Sequence, residues 1–249
     1  MEVYVISSGR ADKQTTYNSL PARIQEKVNI AIPSAEAADY AEYPHVLVPV
    51  MGIGRTRQWL VDQCADQTIC MLDDDLTFAT RREDDPTKFY PSTEYEIEAL
   101  FADIEFQLSN FAHVGVASRE GGNRQVEDYR GTGRMLRVLS YDVEILRRTG
   151  TRYDNLEVME DFDVTLSLLR KGYRNAIVNY MVQNQNGSNL KGGCSQYRTK
   201  DVQERAAAAL ASRHPGFVKL VQKNTKGADG WGTRTDVIIQ WKRAYEESQ

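Results

Sequence analysis

Long apolar runs are missing from this chain of 249 residues. None approaches the roughly 18–20 residues needed to cross a bilayer, so no membrane partner is expected. Cysteine is scarce too: Cys64, Cys70 and Cys194 are odd in number and lack CxxC spacing. That excludes a disulfide framework and points to a reducing, cytoplasmic setting, the host cytoplasm if the chain is phage-encoded. The three histidines, His45, His113 and His214, do not have metal-ligand spacing; His45 and His113 flank strands and read as structural, with His214 the only one placed to approach a metal. There is no P-loop and no GxGxxG, so a nucleotide is not expected to sit as it does in those folds. The opening MEVYVISSGR has neither a basic leader region nor a small-residue cleavage site, and reads as a strand.

What is present is an ordinary globular composition, 41% hydrophobic and 27% charged, which is enough to build a sizeable core. The charge is uneven. Residues 1–186 carry 20 basic and 29 acidic side chains, whereas residues 187–249 carry 11 and 6. The net charge of −4 argues against a polyanionic partner, and the basic C-terminal stretch argues for one.

Short apolar runs alternate with helical patterns. Val3–Ile6, Val28–Ile32, His45–Val50 and Thr68–Leu72 read as strands, and Arg55–Cys64 as a helix between the last two. Such alternation implies an α/β fold with a mostly parallel sheet flanked by helices, whose ligands bind beyond the carboxyl ends of the strands. Further on, Thr93–Asn110 repeats Ile97, Leu100, Ile104 and Leu108 at helical spacing. His113–Ala117, Met135–Leu139 and Asn175–Met181 read as strands, and Tyr141–Arg148, Glu160–Lys171 and Asp201–Ser212 as helices. Gly172 stands where a helix C-cap belongs. Ser118–Gly133 and Gln183–Thr199 read as loops, and Val237–Trp241 as a segment that packs back on the body. No repeat or linker divides the chain, so one domain over residues 1–249 is expected, with a donor half (1–110) and an acceptor half (111–249).

The chemistry concentrates in two acidic groups. Asp73-Asp74-Asp75 follows the apolar Ile69-Cys70-Met71-Leu72, and three adjacent carboxylates at a strand end call for a compensating cation. Along an extended segment Asp73 and Asp75 point the same way. The second group, Glu160-Asp161-Phe162-Asp163, opens a helix, where the dipole favours anions. Asp161 and Asp163 are candidate general bases toward an acceptor hydroxyl, and about 200° of helical rotation between them lets only one face a cleft. Two small-residue turns, Ser7-Ser8-Gly9-Arg10 and Gly52-Ile53-Gly54-Arg55, follow strands where a backbone can approach phosphate and an arginine can meet it. Lys191–Arg198 (KGGCSQYR), which contains Gly193 and Arg198, has the make-up of a loop closing over a diphosphate.

A strand ending in an acidic triplet, a Gly-Arg turn before it and a Glu-Asp helix start about 85 residues later resemble the GT-A glycosyltransferases. More narrowly, MLDDD (71–75), GVASR (115–119), MEDFDVTLSLL (159–169), GGCSQYR (192–198), HPGFVKL (214–220) and VIIQWKRAY (237–245) resemble the TET-associated glycosyltransferases encoded by phages. That resemblance implies a GT-A fold and transfer of a sugar from a nucleotide-sugar, UDP-linked in this reading, to a hydroxymethylpyrimidine of DNA, usually 5-hydroxymethylcytosine. It implies a divalent metal, Mn²⁺ or Mg²⁺, on Asp73 and Asp75. Ser8, Gly9, Arg10, Gly54, Arg55, Asp73, Asp74, Arg119 and Gly193 would then serve the donor. Arg119, Gln125 and Arg198 would serve the acceptor. A carboxylate base, Asp161 or Asp163, fits an inverting transfer. Arginines 119, 124, 130, 134 and 137 offer a local track for DNA, and Ser118–Gly133 a place for an extruded base. Three alternatives stay open: a GT-A enzyme acting on a glycan or protein, a two-metal nuclease or nucleotidyltransferase, and a non-catalytic nucleic-acid-binding module.

Overall fold

A computed structural model describes residues 1–125, 127–185, 193, 197–225 and 232–249. Its centre is a 10-stranded sheet. The first half contributes β1 (Glu2–Ile6), β2 (Val28–Pro33), β3 (His45–Val48), β4 (Thr68–Asp73), β5 (Leu76–Arg81) and β6 (Phe89–Pro91), with helices α1 (Thr15–Ser19), α2 (Ala22–Gln25), α3 (Ile53–Gln63) and α4 (Glu94–Gln107). The second half contributes β7 (His113–Ser118), β8 (Tyr129–Gly131), β9 (Val138–Asp142) and β10 (Asn175–Gln185), with α5 (Val143–Thr149) and α6 (Glu160–Arg170). The chain finishes with α7 (Lys200–Arg213), the hairpin strands β11 (Val218–Thr225) and β12 (Gly232–Ile239), and α8 (Trp241–Glu246).

Strand order is β3-β2-β1-β4-β9-β7-β10-β5-β6, with β8 also on β10. The run β3-β2-β1-β4 is parallel, as is the β7–β10 pair, while β9, β5 and β8 run against their neighbours. Both halves of the chain therefore share one mixed, mostly parallel sheet. β4 shows why it holds the centre. Cys70 and Leu72 pack into the core on one face, Ile69 and Met71 into the core on the other, and all four are fully buried. A strand covered on both faces reads as an unbroken apolar run. α4 covers the first face through Ile97, Leu100, Phe101 and Ile104; α3 and α6 cover the second through Leu60, Val61, Val164 and Leu168. Truncating one such side chain to alanine costs about 2–5 kcal/mol.

Several boundaries differ from the sequence reading. The strand expected at Met135–Leu139 lies at Val138–Asp142, because Asp142 is both its last residue and the N-cap of α5, accepting from the Ile145 amide at 3.0 Å. β5, β6, β8 and the β11–β12 hairpin were not expected; β8 interrupts the predicted Ser118–Gly133 loop. Gly172 does sit in the left-handed region (φ 84°), with its amide on the Leu169 carbonyl, and ends α6. Val237 packs against α7, and Ile239 and Trp241 against α6, so the C-terminal segment does return to the body.

Candidate active site

Parallel pairing brings Ile6 level with Asp73, so the chain leaves β1 and β4 side by side at the carboxyl edge. The extension expected through Asp75 does not occur, because the chain turns at Asp74 and Asp75 before β5. Each aspartate consequently meets different partners. Ser7 donates its hydroxyl to Asp74 Oδ2 at 2.5 Å, and Gln14 Nε2 donates to Ser7 at 2.8 Å. Arg10 spans Asp74 Oδ1 (2.7 Å) and Asp75 Oδ2 (3.1 Å). Gln185, the last residue of β10, donates to Asp75 Oδ2 at 2.8 Å. The other oxygen, Asp75 Oδ1, is buried with no hydrogen-bond partner among the described residues.

Asp73 turns instead toward α3. Arg57 donates to Asp73 Oδ1 at 2.9 Å and makes a short ion pair with Glu160 at the start of α6. Burial outweighs Arg57 and raises the Asp73 carboxyl to about 6, with the neighbouring Asp75 and Asp74 charges adding to the rise. Burial likewise lifts Glu160 to about 7 against the pull of Arg57. The charge of the triplet is therefore answered largely from within the protein, by Arg10 and Arg57.

α6 forms the facing wall. Its N-cap, Met159, sits at φ 64° without a side-chain cap. A bulky residue in that region is strained, and such strain gathers at functional sites. The turn aims Asp161 into the cleft, where Arg134 Nη2 lies 3.8 Å from Asp161 Oδ2 and the Arg134 guanidinium stacks 4.2 Å over Phe162. Between the walls is a cleft of about 320 Å³. Ser7, Ser8, Arg10 and Asp73–Asp75 line it from the strand edge, together with Glu160, Asp161 and Phe162 of α6 and with Arg134, Arg137 and Tyr197. Such a space suits a small polar ligand held by a few convergent groups. Among the described residues no group of three His, Cys, Asp or Glu side chains converges to hold a metal ion.

The family model of TET-associated glycosyltransferases matches residues 1–193. The chain belongs to that family. It is also 26% identical over 204 residues to the β-glucosyl-HMC-α-glucosyl-transferase of Enterobacteria phage T2, covering 76% of this chain and 70% of the phage protein. Among solved structures it resembles glucosyl-3-phosphoglycerate synthase from Mycobacterium tuberculosis in complex with Mg²⁺ and uridine diphosphate, with a TM-score of 0.51 at 12% identity over 95% of this chain and 87% of that one. It resembles the mannosyltransferase PcManGT from Pyrobaculum calidifontis in complex with GDP-Man and Mn²⁺ with a TM-score of 0.50 at 12% identity over 85% of this chain. This chain spans 61% of the length of that mannosyltransferase. At such identities the likeness is one of GT-A fold.

Within this family member the structure gathers Ser8, Arg10, Asp73, Asp74, Asp75, Asp161, Gly193 and Arg198 around the cleft. Gly193 donates its amide to the Ser8 carbonyl at 2.8 Å, while Arg198 is held by Gln203 at 2.7 Å. Lys191, Gly192 and Cys194–Gln196 of the expected closing loop lie outside the described residues. Other predicted residues lie elsewhere. Gly9 donates to Glu36 at 2.7 Å. Gly54 is needed for packing, because a Cβ there would meet the Tyr153 and Leu156 carbonyls at 2.7 Å; Arg55 is exposed outside the cleft. Arg119 lines a separate basin, and Gln125 lines neither. Asp163 faces away: it is 1% exposed and accepts from His214 Nε2 (2.7 Å), Arg213 Nε (2.9 Å) and Asn155 Nδ2 (3.2 Å). His214 is thereby committed to Asp163 rather than to any metal. Burial pushes the Asp163 carboxyl up, but its hydrogen bonds from His214 and Arg213 win and hold it below the usual range. Sequence reading missed Arg57, Glu160, Arg134, Arg137 and Gln185 as cleft groups. Arg57 carried a signal, since it shares the buried face of α3 with Leu60 and Val61 at helical spacing.

Proposed function

We propose that this protein transfers a sugar from a nucleotide-sugar, in the first instance a UDP-sugar, to the hydroxymethyl group of a modified pyrimidine in DNA. The observation that carries this reading is that the Asp73–Asp75 edge and Asp161, from the start of α6, line one and the same cleft. The donor diphosphate lies along the Ser8, Arg10 and Asp73–Asp75 wall, where arginine and hydroxyl donors suit phosphate oxygens. Asp73 and Asp75 are the residues to hold Mn²⁺ or Mg²⁺. Their fit rests on Asp75 Oδ1, a buried carboxylate oxygen left without a partner among the described residues, and on the preference of hard cations for oxygen. When bound, such a cation supplies positive charge to the departing diphosphate. The solved relatives named with UDP and Mg²⁺, or with GDP-Man and Mn²⁺, support that ligand class.

Arg57 fixes the two walls relative to each other through Asp73 and Glu160. Asp161 takes the proton from the acceptor hydroxyl as that oxygen bonds to the anomeric carbon and the carbon–diphosphate bond breaks. A single displacement of this kind inverts the anomeric centre. General-base help of this sort contributes about 10²–10⁴-fold. The phage relative's name joins two glucosyl groups with HMC, which favours a second reading in which the sugar is added to one already present on hydroxymethylcytosine.

The test is a donor screen on duplexes containing either 5-hydroxymethylcytosine or its glucosylated form, with mass spectrometry of the released nucleosides and EDTA as control. Transfer that EDTA abolishes is the expected result. No transfer from any nucleotide-sugar to either duplex removes the DNA reading, and transfer that survives EDTA removes the metal.

A further inference from the structure

A second basin is lined by Arg82, Thr87, Lys88, Phe89, Arg119 and Gly121. Its lining holds three cationic side chains and a hydroxyl, and no carboxylate. That composition stands out in a region, residues 1–186, with 20 basic against 29 acidic side chains. Phe89 belongs to the lining, and the Arg81 and Arg119 guanidinium groups lie 4.7 and 5.8 Å from its ring centre, which holds them in place as cation–π partners. Asp84 and Asp85 pair with Arg82 (2.6 Å) and Lys88 (3.0 Å) from outside the lining. Both arginine and lysine are well exposed, and exposed pairs of this kind are weak enough to exchange for a phosphate.

The basin is joined to the cleft by β10. The Arg119 amide donates to the Gln183 carbonyl at 2.8 Å, and Arg137, a cleft residue, donates to the Gln183 side chain at 3.3 Å. Two residues farther along the strand, Gln185 holds Asp75. Two strand residues span about 7 Å, which is about two base steps of DNA.

We infer that this basin binds the phosphodiester backbone of the acceptor on one flank of the modified base, an inference that rests on the DNA reading above. Arg82, Lys88 and Arg119 supply the charge, and Thr87 supplies a neutral donor. A lone nucleotide brings a single phosphate, whereas a duplex brings a row of phosphates on the flank of the modified base. That difference separates backbone binding from capture of free phosphate.

The experiment measures duplex affinity against salt, without donor, for the wild type, for Arg82→Gln with Lys88→Gln, and for a charge-matched control. The control is Arg23→Gln with Lys27→Gln, at and just after α2 and before β2, on the amino edge of the sheet. Each phosphate contact contributes about 0.9 to the slope of log affinity against log salt. The double basin variant is expected to lose about two of those units and to bind duplex about tenfold or more weakly at low salt. Affinity for hydroxymethylcytidine monophosphate is expected to stay at the wild-type value, and the control to keep the wild-type slope. An unchanged slope in the basin variant, or an equal loss in the control, overturns the inference. The two proposals fail separately. A wild type that binds duplex with this slope but transfers no sugar sinks the acceptor reading alone. A wild type that transfers sugar, beside a basin variant with unaltered slope, sinks the basin alone.

Discussion

Asp161 and Asp163 stand two residues apart in the first turn of α6, about 200° around its axis. Asp161 lines the cleft, with Arg134 as its one ion-pair partner among the described residues at 3.8 Å and 15% of its side chain exposed. Asp163 is closed off on the opposite face, fixed by His214, Arg213 and Asn155. The same residue type in the same turn is thus left available on one face and fully committed on the other. A carboxylate that must approach an acceptor hydroxyl needs room and a moderate partner, while one that anchors α6 to the end of α7 needs neither. Solvation and partner number separate the two, and the acidic pattern alone does not.

Asp161→Asn should give the largest effect, because it removes the proposed proton acceptor while keeping the shape. Transfer is expected to fall about 10³-fold, with thermal stability and nucleotide affinity near wild type in calorimetry; full activity would end the contrast. Arg57→Gln comes next. It leaves Glu160 and Asp73 without their shared cation, and breaking a buried pair costs about 3–5 kcal/mol, which urea denaturation would register together with weaker donor binding. Asp163→Asn should cost about 3 kcal/mol through the same physics, and its folded fraction should still transfer sugar. A loss of transfer without a loss of stability would reverse the assignment of the two faces.

The smallest effect concerns a residue outside both faces. His113 is fully buried, donating from Nε2 to the Tyr173 carbonyl at 3.0 Å, and burial lowers it from 6.5 to about 4 despite that bond. Between those values the unfolded chain binds the proton and the folded one does not, so stability falls as the pH drops below 6.5. From pH 6.5 to pH 5 the loss is about 2 kcal/mol. Denaturation curves of wild type and His113→Gln at both pH values would show it as a slope that the variant lacks.

Much of this architecture could be read in the residues. The apolar Ile69–Leu72 run placed β4 in the interior, and the triplet behind it marked the ligand edge, because burial on both faces and a sudden cluster of charge are local signals. The helix spacing of Glu160–Lys171 also held to within a residue of the observed end. Long-range events were not legible. No local pattern states that Arg57 joins Asp73 to Glu160, residues separated along the chain by five of the sheet's ten strands. Nor does any show that Arg10 lies between Asp74 and Asp75. The short strands β5, β6 and β8 carry little periodicity and exist through their pairing with β10 and with each other. Within the Gly52–Arg55 turn, Gly52 and Ile53 line the cleft while Gly54 packs against the Tyr153 and Leu156 carbonyls, a division no local pattern shows.

The most direct test of the central claim compares the initial rates of sugar transfer to hydroxymethylcytosine duplex for wild type, Asp161→Asn and Asp163→Asn, each corrected for folded fraction and followed by mass spectrometry. The expected result is wild-type transfer, loss of about three orders of magnitude in Asp161→Asn, and near-wild-type transfer in Asp163→Asn. Equal rates in wild type and Asp161→Asn would contradict it.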